Sequence, residues 1–168
     1  MTGRLSALTA AGVAALMVVA AAGTAAAREV VRFDGFEPGT IVVRTAERKL
    51  YFVEAPGRAI RYPIAVGMPG KEWSGATTIG RKEVNPIWSP PLEVRRDKPS
   101  LPNIIPPGPA NPLGPRAMVL SGTEYAIHGT NNPRSIGTRA SYGCIRMLND
   151  NVVELYDRVS VGTRVVVQ

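Results

Sequence analysis

The sequence contains one thiol, Cys144, and one imidazole, His128. A thiolate attacks carbonyl carbon readily, and a neighbouring imidazole favours the anion and carries protons to and from the reacting groups. Each residue stands next to a glycine, Gly129 or Gly143, and a residue without a side chain lets backbone approach a substrate closely. The backbone N–H groups of Gly143 and Cys144 are candidate donors to a developing oxyanion. Such a set would perform acyl transfer through a thioester. Spacing alone does not make it a set. Sixteen residues separate His128 from Cys144, and an extended segment of that length spans roughly 50 Å. A lone Cys is often a small buried hydrophobe, and a lone His at a strand end is often just a satisfied side chain.

The elements that would position these residues are mostly strands. Ile41-Val42-Val43, Leu50-Tyr51-Phe52-Val53 and Tyr62-Pro63-Ile64-Ala65-Val66 are short β-branched and aromatic runs separated by turn-length segments, which predicts a three-stranded antiparallel meander. Ile79 opens a further extended segment. Ala117 to Leu120 and Tyr125 to Ile127 read as two strands around Ser121-Gly122-Thr123-Glu124, and His128 ends the second. A polar loop spans 129–140. Val152, Leu155, Tyr156 and Val159 recur at helical spacing, so one short helix is expected over about 150–158, capped by Asn149-Asp150-Asn151. Arg164 to Val167 forms a last strand.

Proline is the compositional outlier. Ten of the 15 prolines fall within residues 86–115. Their missing N–H groups and fixed φ argue there against helix and central strand, leaving a long surface loop of the kind that serves as a lid or binding loop. The fold class expected is mainly β: a single-domain sandwich or partly closed barrel with one short helix and a long proline-rich loop.

Residues 1–27 carry one charge, Arg4, then an apolar run from Ala10 to Gly23 and the small-residue end Ala25-Ala26-Ala27. That pattern is a secretory signal peptide, followed by a lead-in at 28–38 and the main domain at 39–168. An exported chain with one Cys has no internal disulfide framework, and an unpaired thiol in an oxidising compartment is a liability unless buried or in use. The net charge of +7, +6 without Arg4, makes anionic envelope polymers or lipid head groups the polyanions at hand. The basic residues are dispersed among acids, and a solvated surface accounts for most of them. No nucleic acid is expected as a partner. One Cys with one His also argues against a zinc finger, and no metal or cofactor is expected.

The strings around the two reactive residues are specific. Ile127-His128-Gly129-Thr130, followed by Ser141-x-Gly143-Cys144-Ile145-Arg146-Met147, resembles the L,D-transpeptidase (YkuD-like) catalytic-domain family. The resemblance extends back through Ser74-Gly75-Ala76-Thr77-Thr78-Ile79-Gly80. Asn85-Pro86-x-Trp88-x-Pro90-Pro91 and Ile105 to Gly114 resemble the proline-rich insert of its ErfK-type branch.

The resemblance implies Cys144 as nucleophile and His128 as base, with the Gly129 carbonyl orienting the imidazole. It implies the Gly143 and Cys144 amides as the oxyanion hole. Arg146 matches the family's basic residue after the nucleophile and would hold a substrate carboxylate, fix the loop or form a structural ion pair. Ser141 fits a loop-ordering hydrogen bond. Tyr142 departs from the pattern, since many members carry a second His there, and this bears on the substrate subsite. Trp88 belongs either to a lid over the substrate or to ordinary packing. The implied substrate is a peptidoglycan stem peptide, and the acceptor is another stem, an envelope-protein lysine, an amino acid or water. Two other classes fit the residues: a non-catalytic envelope-binding module, and a secreted cysteine peptidase.

Overall fold

The computed structural model describes residues 28–168, and the expected signal peptide at 1–27 lies outside the described residues. The chain runs β1 (Glu29–Arg32), β2 (Ile41–Arg44), β3 (Lys49–Ala55), β4 (Arg58–Gly67), β5 (Gly75–Val84), α1 (Leu92–Asp97), β6 (Arg116–Leu120), β7 (Ala126–His128), β8 (Arg139–Ser141), β9 (Ile145–Met147), α2 (Asn149–Arg158) and β10 (Arg164–Val167). A single 3-10 turn, Pro133–Ser135, interrupts the loop after β7.

The predicted meander is present. β2 pairs antiparallel with β3, and β3 with β4. β10 lies parallel to β2 on one side and antiparallel to β5 on the other. β5, β6 and β7 continue antiparallel, and β9 then joins parallel to β7. β9 also pairs antiparallel with β4, closing an eight-strand mixed barrel in the order β4-β3-β2-β10-β5-β6-β7-β9. Of the two architectures expected, the barrel is the one adopted, and its ring is complete. Closure leaves no edges among these eight strands.

Period-two alternation sorts the apolar residues. Ile41, Val43, Leu50 and Phe52 join the main core with Ile64, Met118, Ile127 and Met147, and with Val152 and Leu155 from α2. The intervening Val42, Tyr51 and Val53 face outward into a second, smaller cluster. Phe33 covers that face, stacked on Tyr51 at 4.3 Å. The 28–38 lead-in is therefore part of the packing, with β1 paired to β4.

Helix α2 matches the expected span, but its cap does not. Leu148 is the N-cap and, having no polar side chain, makes no capping bond, while the expected cap Asn149 uses its oxygen on the Thr130 N–H. At the other end, Lys82 Nζ donates to the carbonyls of Tyr156 (2.7 Å) and Val159 (2.6 Å), where a cation offsets orphan acceptors and the negative end of the dipole.

The expectation of one helix is corrected by α1, which lies inside the proline block. Prolines flank it at 90, 91 and 99 and spare its six residues. Proline stops a helix from its interior but is tolerated at its start. The rest of the block is held by side chains. Trp88 and Ile105 exchange two backbone hydrogen bonds (2.9 and 2.8 Å). Asn111, 1% exposed, donates Nδ2–H to the carbonyls of Pro86 (2.8 Å), Ile105 and Pro106 (both 3.2 Å) and accepts the Leu113 N–H on Oδ1 (2.8 Å). A proline-rich loop has more carbonyls than N–H groups, and a buried amide redresses the balance.

Asn111→Ala is therefore expected to lower stability by about 1–3 kcal/mol and to raise amide exchange within 85–115, leaving the barrel strands protected. Equal loss of protection in β2–β4 would contradict a role confined to the loop.

Candidate active site

The site is assembled where β7 and β9 run side by side. In that parallel ladder Ile127 faces Ile145 and His128 faces Arg146. His128 thus ends one strand at the level where Cys144 leads into the other. Cys144, His128, Arg146, Ser141, Tyr142 and Trp88 line one cleft of about 690 Å³, partly open to solvent. The proline loop adds Pro91, Val94, Pro112 and Leu113, and Tyr125 and two acids, Glu93 and Glu124, complete the wall. Every side chain singled out in the sequence is brought together here. Gly129 and Gly143 contribute backbone.

His128 is 4% exposed, and its Nδ1 lies 2.7 Å from the Gly129 carbonyl. A carbonyl only accepts, so Nδ1 carries the proton and Nε2 is left with a free lone pair. Burial depresses its pKa to about 4, helped by the Arg146 charge and opposed by the Gly129 and Pro112 carbonyls. The Gly129 turn is held from below. Asn149 Oδ1 accepts the Thr130 N–H at 2.8 Å, and a Cβ at Gly129 would lie 2.4 Å from that oxygen. Only glycine fits.

Cys144 is half-buried. Burial raises its thiol pKa, opposed by a hydrogen bond from the Ala126 backbone and by Arg146. The sequence suggests a thiolate stabilised by imidazole, whereas burial here favours the uncharged form of both partners. Both side chains are thus held toward their neutral forms within the one cleft.

The loop carrying the thiol is tied from three sides. Ser141 Oγ accepts the Gly143 N–H (3.1 Å) and donates to the Cys144 carbonyl (2.5 Å), the loop-ordering role expected of it. Gly143 has φ of 116°, and a Cβ there would meet the Tyr125 ring at 2.4 Å. Trp73 Nε1–H donates to the Gly143 carbonyl at 2.9 Å. Of the two amides expected as oxyanion donors, that of Gly143 is thus already engaged. Tyr142 donates its hydroxyl to Asp97 at the end of α1 (2.8 Å), so it ties the thiol loop to the proline loop.

Arg146 is mostly buried, and burial lowers its pKa. Its Nε has no partner, and no carboxylate among the described residues lies within ion-pair distance. Of the roles left open for it, the structural ion pair is absent from the described residues.

Two consequences are measurable. Between about pH 6.5 and 4 the unfolded chain binds a proton on His128 that the folded chain excludes, so stability falls as pH falls through that window. His128→Gln should remove that part of the decline in urea midpoint, and identical profiles would contradict the burial argument. For the thiol, the rate of iodoacetamide alkylation should rise with pH through a midpoint above the ordinary cysteine value. A plateau already reached below neutrality would show a preformed thiolate.

The chain is similar to known proteins over nearly all the described residues. The family described as L,D-transpeptidase catalytic domain (YkuD) matches residues 38–167. "Probable L,D-transpeptidase ErfK/SrfK" of Escherichia coli is 43% identical over 132 residues, covering 74% of this chain and 42% of that protein. This chain therefore spans less than half the length of that relative. A solved Brucella melitensis chain, described as a probable carnitine operon oxidoreductase, is 44% identical with a TM-score of 0.56, covering 84% of this chain and 93% of that one. L,D-transpeptidase 3 of Mycobacterium tuberculosis, solved with a faropenem-derived adduct, shares the fold at a TM-score of 0.60 and 16% identity, covering 77% and 59%. With the signature residues 127–130 and 141–147 inside the matched region, the chain belongs to the family of L,D-transpeptidase catalytic domains.

Proposed function

We propose that the chain is an exported, cysteine-dependent L,D-transpeptidase acting on peptidoglycan stem peptides in the cell envelope. The observation that carries this reading is the single cleft shared by a thiol, an imidazole with a free Nε2, and a guanidinium without a carboxylate partner among the described residues. Cys144 Sγ attacks the carbonyl carbon of the residue before the terminal D-amino acid, and its proton passes to His128 Nε2. The C–N bond breaks, His128 returns the proton to the leaving amine, D-alanine departs, and a thioester remains on Cys144. An acceptor amine then attacks the thioester, gives its proton to His128, and the thiol is regenerated.

Arg146 supplies the charge that a stem carboxylate needs, since a buried cation without a partner gains most from an anionic ligand. Trp88, Pro91 and Val94 form the apolar wall against which the stem lies. The amine decides the product: a diamino acid of a second stem gives a 3→3 cross-link, a protein lysine tethers a protein to the wall, and a free amino acid exchanges the terminus.

Incubation of the purified protein with tetrapeptide stems and with a carbapenem, followed by intact-mass measurement, tests the reading. An acyl adduct is expected with both reagents and none in Cys144→Ala. Arg146→Gln should slow acylation by stems at least ~10-fold. Binding to sacculi without an adduct would favour a non-catalytic module, and cleavage of casein-like substrates a peptidase. An oxidoreductase, as the Brucella chain is described, would likewise form no acyl adduct.

A further inference from the structure

Trp73 takes no part in the sequence signature and does not line the cleft. It stands behind Tyr125, which does, with the two rings stacked at 5.4 Å and 19°. From there its indole Nε1–H reaches across 70 positions of sequence to the Gly143 carbonyl. No described peptide bond is cis, and in a planar trans peptide the carbonyl and the following N–H point in opposite directions. The peptide unit whose carbonyl Trp73 holds away from the cleft is the one that carries the Cys144 N–H. That N–H is therefore directed back toward the thiol side. The other amide of the loop is engaged, because Gly143 N–H donates to Ser141 Oγ. A hydrogen bond accepted at the carbonyl also polarises the amide and strengthens its N–H as a donor.

The geometry points to Trp73 as a positioning residue for acyl transfer, one that orients and polarises the Gly143–Cys144 peptide so that the Cys144 amide stabilises the tetrahedral oxyanion. This rests on the reading of Cys144 as the acylated nucleophile. It also accounts for glycine at 143: the turn that presents the carbonyl to Trp73 has φ of 116° and passes against the Tyr125 ring, where a Cβ would collide. Tyr125 holds the indole in place by stacking, and the indole holds the peptide.

The test separates oxyanion stabilisation from placement of the sulfur. Acylation by a carbapenem passes through an oxyanion. Alkylation by iodoacetamide displaces iodide at a saturated carbon and forms none. Both rates are measured at one pH for the wild-type chain, for Trp73→Phe, and for a protein carrying 3-benzothienylalanine at position 73, which replaces the N–H by sulfur and keeps the bicyclic ring. Removing an oxyanion donor outright typically costs 10²–10³ in rate. Loss of its orientation alone should cost about 10–100-fold in acylation, with alkylation changed less than about 2-fold. Equal loss of both rates in the bicyclic analogue would assign Trp73 to holding the loop and overturn the proposal, as would unchanged acylation. A wild-type protein that is alkylated but never acylated would overturn the acyl-transfer reading itself, and with it this assignment.

Discussion

Strand β9 is three residues long, yet it is paired on both sides, parallel to β7 and antiparallel to β4. Those two ladders close the barrel, and the one between β7 and β9 is also what brings His128 and Cys144 into one cleft. A one-residue slip of β9 would turn Ile145 and Met147, both buried, out of the core and move the thiol along the cleft. The same apolar side chains that stabilise closure therefore fix the register on which the candidate chemistry depends. Residues 129–144 form an excursion between two hydrogen-bonded anchors, and its ends are held whatever the loop does between them.

Burial sets the electrostatics of the pair. An imidazole sealed from water resists protonation, and a thiol in the same environment resists ionisation. Each is held toward its uncharged form, the starting point that the proposed transfer of a proton from sulfur to nitrogen requires. Arg146 reinforces this for the imidazole and opposes it for the thiol, since its charge disfavours an imidazolium and favours a thiolate. The cleft is thus poised to bind an anion and to share a proton. It does not store a separated ion pair at rest.

Much of this was legible in the residues. The meander of β2–β4 follows from β-branched runs with turn-length gaps, and α2 from the spacing of Val152, Leu155 and Val159. The candidate site residues stand in two short strings whose glycines and single reactive atoms are informative by themselves. Other elements carried no local signal. β8 and β9 have three residues each, too few for a period to show, and their pairing is long-range. β1 is a mostly exposed strand of four residues, too short for a period to show. α1 was hidden because the prolines around it were read as excluding helix across the block, although they spare its six residues. The supporting side chains were missed for a related reason. Trp73, Asn149 and Asn111 act by bonding backbone in remote segments, and sequence spacing does not reveal such partners. Asn111 alone left a trace, since a proline-rich loop needs a donor for its unpaired carbonyls.

The central claim is that a neutral imidazole, protonated at Nδ1 through its bond to Gly129, presents a free Nε2 to the thiol. The chain has a single His, so the ¹⁵N spectrum of its imidazole is unambiguous. At pH 7 the account predicts a neutral ring, with an Nδ1–H resonance slow to exchange and an unprotonated Nε2 whose shift moves when Cys144 is modified. An imidazolium at that pH, or a ring protonated at Nε2 and indifferent to the state of the sulfur, would contradict it.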